Sequence, residues 1–448
     1  MRYKKHMMVI LPFILVIALI QCTKTLPVAD NSATAVPDYA ADKGGQSLVS
    51  QGKQIFRFDA FGDEDFWSGE LHIDKAIAGA QNGGFGTGVS PNTALAVGLK
   101  VDADALPPEI VAGIQSGTID LNDPATTLAL LKLNAVVGVK GNFDTKGSLQ
   151  SIGVTCASCH STVDNSFAPG IGKRLDGWPN RDLNVGAIIS LTDNAKPLAD
   201  ILHVDEPTFR QVLSMWGPGK YDAVLFMDGK AFRPDGKIAA TLIPAAFGMK
   251  GVTIETYTGW GRHDIGDISY WNAYVANTQM HGKGNFFDPR LNNPEKYPIA
   301  VENGYYHLTN FPDLITPKLP ALRVYQHSLE APKPPANSFD HAAAQRGKAI
   351  FFAKAKCGSC HNNAPLFTDN ELHTAAEIGI DDFEAKRSPT GKYRTTPLEG
   401  LFAKTKGGFY HDGRFATLND VVDHYDSYLS LHLTSTEKQD LVEYLKSL

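Results

Sequence analysis

The chain has 448 residues, 43% of them apolar and 20% charged, the balance of a soluble globular protein and not of a disordered or multi-span membrane one. Its net charge is −6, with acid and base intermixed and no basic stripe or aromatic-basic interleaving, which excludes nucleic acid as a partner. The length suits two or three domains, and 41 Gly with 26 Pro call for many turns.

Arg2, Lys4 and Lys5 precede an apolar run from Met7 to Ile20, and Cys22 follows. Fourteen residues are short for a membrane span but right for a signal-peptide core. The ending Leu19-Ile20-Gln21-Cys22 resembles a bacterial lipobox, with Gln21 where a small residue is usual. Residues 1–21 are therefore expected to be a lipoprotein signal peptide with Cys22 as the lipidated residue, and an uncleaved anchor is the alternative. Loss of residues 1–21 would bring the net charge to about −9. Residues 22–50, rich in Ala, Asp, Ser, Thr and Pro, read as a flexible tether.

The body begins with Gly52-Lys53-Gln54-Ile55-Phe56. About 57–151 reads as an insertion with short helices at Pro108 to Ser116 and Pro124 to Val137. There follows Cys156-Ala-Ser-Cys159-His160, matched later by Cys357-Gly-Ser-Cys360-His361, and these take up four of the five cysteines. C-x-x-C-H is the attachment signature of a c-type haem: two thiols add to the porphyrin vinyls and the histidine ligates the iron. Zinc-ribbon halves usually sit about 15–20 residues apart, whereas 201 positions separate Cys156 from Cys357. A thioredoxin-like dithiol needs no histidine in both copies. Two covalent haems are expected, with His160 and His361 as proximal ligands.

From Ser161 to Leu202 there is no His or Met. The first haem is thus open on its distal face or closed by a distant residue among His203, Met215, Met249, His263, Met280 and His281. The turn-rich segment Pro169 to Asp182, with Lys173, Arg174, Trp178 and Arg181, either covers the haem propionates or the distal side or is a solvated loop. Trp216, Trp260 and Trp271 are electron-relay candidates or simply core. Thr253 to Tyr257 reads as a strand.

Ala331-Pro332-Lys333-Pro334-Pro335 marks a domain boundary, giving haem domains at 51–330 and 331–448. A helix is expected over Phe339 to Ala353, with Ser338 as N-cap and Asp340 near its positive end. Its Gly347-Lys348-Ala349-Ile350-Phe351 echoes Gly52 to Phe56 and suggests an internal repeat. Cys357 follows Gly347 by 10 positions, while Cys156 follows Gly52 by 104, hence the insertion. Thr434 with Glu437 predicts a capping box for a last helix with the stripe Leu441, Val442, Leu445 and Leu448. The fold class is mainly α, with two cytochrome c-type domains, long loops, and the first domain enlarged by an insertion.

The blocks Pro365 to His373, Tyr393 to Leu398 and Gly408 to Leu418, the last containing His411-Asp412-Gly413, resemble the C-terminal domain of bacterial di-haem cytochrome c peroxidases and their MauG-like relatives. Trp216 to Asp222 is similar to the rubber-oxygenase-like branch. The resemblance implies a distal ligand of the second haem fourteen residues after His411, which is Tyr425, with His424 as competitor. It implies a polar role near the haem for His411, the candidate catalytic group, and a bracing role for His373. Glu399 stands where peroxidases have an arginine. The family's calcium site would use carbonyls at Lys406 and Gly408, where a lysine opposes a cation, so calcium is allowed but not predicted. The implied activity is peroxide reduction at the N-terminal haem, fed by a small cytochrome or cupredoxin, on the periplasmic side of a membrane reached through the lipid on Cys22. A carrier with both haems six-coordinate and an oxygenase acting on an organic substrate are the alternatives.

Overall fold

Two packed helix pairs organise the computed structural model, which describes residues 47–262 and 267–448. The leader, Cys22, nearly all of the tether and His263 lie outside the described residues. The first pair joins the helix Leu48–Phe58 to Leu319–Ser328, and the second joins His341–Phe352 to Ser435–Lys446. In each pair a glycine lets the backbones touch. A Cβ on Gly52 would lie 2.0 Å from the Ala321 carbonyl, and one on Gly347 would lie 1.9 Å from that of Asp440. An edge-to-face aromatic pair then seals each contact one turn later: Phe56 on Tyr325 at 5.5 Å and Phe351 on Tyr444 at 5.2 Å.

Helix ends follow local chemistry. Ser47 caps the first helix, which starts at Leu48, so the last three residues expected in the tether, 48–50, are helical. The helix Pro108–Ser116 is found as expected and the capping box of Thr434 and Glu437 is formed. The helix from Pro124 stops at Lys132 and not at Val137, because Asn134 takes a left-handed turn (φ 55°) that carries the chain into the strand Val139–Phe143. Asp340, not Ser338, caps His341–Phe352 by accepting from Ala342 and Ala343, while Ser338 Oγ bonds the Pro335 carbonyl. The expected strand shrinks to Ile254–Glu255 paired with Gly261–Arg262.

Strands are short throughout, and the described residues form seven two-stranded sheets. The largest core cluster lies within the first half and includes Trp216, Trp260, Tyr274 and Tyr297. A buried ion network ties the halves together: Arg387 bonds Asp222 and Asp228 from the first half and Glu384 from its own helix. No helix among the described residues is long and apolar enough to cross a membrane.

Candidate functional site

After the helix His341–Phe352, Lys356 turns the chain at φ 56° into the short 3-10 turn Cys357–Ser359. The His361 amide donates to the Cys357 carbonyl (2.9 Å), which sets the imidazole one turn beyond the first thiol. His361 Nδ1 lies 2.7 Å from the carbonyl of Phe367. A carbonyl only accepts, so Nδ1 carries the proton and Nε2 keeps a bare lone pair, the tautomer that a metal-ligating histidine needs. Burial lowers the His361 pKa and keeps the ring neutral.

The pentapeptide lines a cavity of about 440 Å³ whose apolar wall includes Phe351, Leu401, Val422, Leu441 and Leu445. His411 is on this wall, 4% exposed, and stacks on Tyr393 at 5.1 Å. Burial pushes its pKa down to about 4, so it is neutral at pH 7. The next residue, Asp412, accepts from Arg414 and Arg233, which hold its carboxylate ionised. Tyr425 faces the cavity. His424, its neighbour on the helix Leu418–Tyr428, turns away: its Nε2 bonds the Ile378 carbonyl at 2.9 Å and its ring borders a separate surface cleft. His373 reaches the cavity rim, with Nε2 3.0 Å from Asp369.

Four cations line the same cavity, Lys356 among them beside the first thiol. Arg181, from the first half, donates to the carbonyls of Ile243 (2.6 Å) and Lys406 (3.0 Å). Arg394 donates to the Ile254 carbonyl and lies 3.6 Å from Glu255, while its Nε is buried with no hydrogen-bond partner. Lys404 Nζ donates to the carbonyls of Pro397 and Glu399 and lies 5.2 Å from the centre of the Phe247 ring, and its pKa is pushed down to about 7 by burial and then by the charge of Arg394. Burying Arg181, Arg394 and Lys404 together, against the carboxylates of Glu255 and Glu399, leaves an excess of positive charge that an anion would relieve. Two thiols, an imidazole Nε2, apolar walls and a cationic end fit a covalently held haem with its two carboxylates. The Lys406 carbonyl, expected near any calcium, instead accepts from the Arg181 guanidinium, and the Lys406 ammonium pairs with Asp182.

The first pentapeptide is held differently. His160 Nδ1 lies 3.1 Å from the Pro244 carbonyl, and burial takes its pKa to about 4. The amides of Gly177 and Asn180 bond the carbonyls of His160 and Cys159, each at 2.8 Å. Cys156 packs on a buried cluster that includes Phe56, Phe61 and Met280. Of the other distal candidates, His203 is exposed and bonds Glu302, Met215 is 44% exposed, and Met249 lines the second cavity. His281 stacks on Phe66 at 3.7 Å.

One cavity feature escapes the sequence. Tyr410 adds a second phenol whose Oη is buried without a well-formed hydrogen bond. Trp178 stands edge-on between Phe247 and Phe402, at 6.2 and 5.8 Å. By contrast Trp216, Trp260 and Trp271 pack in or against the large core of the first half.

No family model matches the chain. It is 30% identical over 172 residues to hydrazine synthase subunit gamma of Kuenenia stuttgartiensis, covering 29% of this chain and 49% of that one. It is 29% identical over 153 residues to the methylamine utilization protein MauG of Methylorubrum extorquens, covering 29% and 42%. To the cytochrome-c peroxidase IdrP2 of a Pseudomonas species it is 31% identical over 146 residues, covering 23% and 39%. The chain thus spans about half the length, or less, of the curated relatives it matches. The relatives are thus MauG-like and cytochrome-c peroxidase proteins, and it is to these that the chain is similar.

Proposed function

We propose that this is an exported di-haem c-type cytochrome that reduces peroxide at its N-terminal haem. Cys156 and Cys159 hold one haem with His160 on its iron, and Cys357 and Cys360 hold the other with His361. The observation that carries the reading is shared by both pentapeptides: the histidine after the second thiol commits Nδ1 to a backbone carbonyl and leaves Nε2 for a metal. Covalently held haem supplies one-electron iron chemistry and, where one face stays open, a coordination site for peroxide.

Each helix pair frames one haem module, 51–330 with the insertion at about 57–151, and 331–448. Tyr425 is the side chain on the cavity wall that we assign as distal ligand of the second haem, in preference to His424. Arg181, Arg394 and Lys404 would neutralise the carboxylates of that haem. Trp178 is the aromatic we assign to the electron path between modules, since it directly follows Gly177, whose amide binds the His160 carbonyl, and meets Phe402 beside Leu401 of the cavity wall. His411, neutral and buried, is kept as the candidate polar group of the second site. Each peroxide takes two electrons and two protons to give two waters, the electrons coming from a small cytochrome or cupredoxin. Lipid on Cys22 would hold the protein at the periplasmic side of a membrane.

A non-catalytic carrier is the second reading, and Met280 favours it: the side chain belongs to the cluster on which Cys156 packs, where it would make the first iron six-coordinate. Electron paramagnetic resonance of the oxidised holoprotein separates the two. A high-spin signal with peroxide turnover is expected. Two low-spin signals that persist after partial reduction, with no turnover, would establish the carrier.

A further inference from the structure

Tyr410 carries two local costs at once. Its backbone is left-handed (φ 67°), a region that strains a non-glycine residue. Its Oη is buried and makes no well-formed hydrogen bond, although the Tyr425 hydroxyl is close enough to interact with it. The ring is fixed edge-on against Phe415 at 4.8 Å and lies 6.3 Å from that of Tyr425, the planes 38° apart. Both rings line the cavity of the second pentapeptide. A strained residue whose hydroxyl faces a second phenol on a cavity wall is explained when the occupant of that cavity turns that phenol into a full acceptor.

We propose that Tyr410 is a positioning residue: its hydroxyl donates a hydrogen bond to the phenol oxygen of Tyr425 when that oxygen is the axial ligand of the second haem iron. The distal side is then a pair of phenols and not a single tyrosine. The inference rests on the haem reading and on Tyr425 as ligand. Donor and acceptor roles follow from chemistry, because an iron-bound phenolate has lone pairs and no proton, whereas the Tyr410 hydroxyl has one proton to give. The neighbours do not compete for the position. His424 Nε2 is committed to the Ile378 carbonyl, and His411 is stacked on Tyr393. A donated hydrogen bond draws electron density from the phenolate, so its loss strengthens donation to iron and favours the ferric state.

The test uses the full-length holoprotein with wild type, Tyr410→Phe and Tyr425→Phe side by side. Phe at 410 keeps the ring on Phe415 and removes only the hydroxyl. Expected for Tyr410→Phe are unchanged haem content, a phenolate-to-iron absorption band moved to longer wavelength, and a lower midpoint potential of the second haem. Expected for Tyr425→Phe is loss of that band. If wild type carries no haem on the peptide containing Cys357 and Cys360, the haem reading itself falls. If two haems are present and Tyr410→Phe leaves band and potential unchanged, this inference alone falls. If Tyr410→Phe abolishes the band as Tyr425→Phe should, Tyr410 is the ligand and the assigned roles are overturned. Should Tyr410→Phe fail to accumulate, electron–nuclear double resonance of the wild type in H₂O and D₂O decides: an exchangeable proton coupled to the second haem's low-spin signal is expected, and its absence overturns the inference.

Discussion

Gly52 and Gly347 occupy the same place in two separate helix pairs. Each puts its bare Cα against a carbonyl of the facing helix, at Ala321 and Asp440, and each lies four residues before a phenylalanine that meets a tyrosine on that helix. The tyrosines, Tyr325 and Tyr444, in turn lie four residues after Ala321 and Asp440. The five-residue echo around the glycines is thus accompanied by equivalent packing on partner helices that share little sequence.

Gly52→Ala and Gly347→Ala should each destabilise the protein. The added methyl would sit about 2 Å from a carbonyl oxygen, so the helices must separate, at about 1–3 kcal/mol or more. This outweighs the gain of up to about 1 kcal/mol in helix propensity. Chemical denaturation measures the difference. Gly69→Ala is the control, since nothing lies within 4 Å of its added Cβ, and its effect should stay within about 0.5 kcal/mol.

The Arg387 network should make stability depend on pH. Arg387→Leu strands three buried carboxylates and should cost about 3–5 kcal/mol. Burial, and then the charges of Asp222 and Asp228 acting against the pull of Arg387, raise the Glu384 pKa from 4.5 to about 8. The folded state therefore binds more protons than the unfolded one between these values, and the stability from this group, full below pH 4.5, is lost as pH rises towards 8. Asp222, also raised, acts in the same direction. Because His160 and His411, held neutral by burial, act the other way below pH 6.5, the contribution is read as a difference: the melting temperature of wild type relative to Glu384→Gln should fall from pH 5 to pH 8. A constant difference would mean that Glu384 is ionised throughout.

Arg181→Gln should lower the midpoint potential of the second haem. Removing a buried positive charge beside a cofactor favours its ferric, more positive state, and Arg181→Lys should fall between wild type and Gln because it keeps charge without the fork. Spectroelectrochemical titration reads the shift. Identical potentials in all three proteins would mean that the guanidinium serves only the carbonyls of Ile243 and Lys406.

Legibility in the sequence followed distance along the chain. Pro108–Ser116 and the last helix were readable because a proline at the start and a Thr–Glu box act within one turn. Ser338 failed as a cap because Asp340, two residues later, takes both amides, and residue type alone does not rank the two. Tyr425 and His424 could not be separated either. Adjacent positions on a helix point about 100° apart, and only the packing of Leu418–Tyr428 decides which one meets the cavity. Tyr410 carried no signal at all, since a hydroxyl short of a well-formed hydrogen bond is defined by what packs around it.

By itself the sequence determined the two C-x-x-C-H pentapeptides, their donor atoms, the absence of His and Met from Ser161 to Leu202, and most helix ends. All of these are properties of neighbours in the chain. Only the tertiary structure decided what each histidine leans on: His361 finds its carbonyl six residues away at Phe367, but His160 finds it 84 residues away at Pro244. Only the tertiary structure also brought Arg181 across to Arg394 and Lys404 on one cavity wall. Local propensity and spacing act over a turn or two of backbone, whereas these meetings depend on how distant segments pack, and that depends on the summed burial of the whole chain.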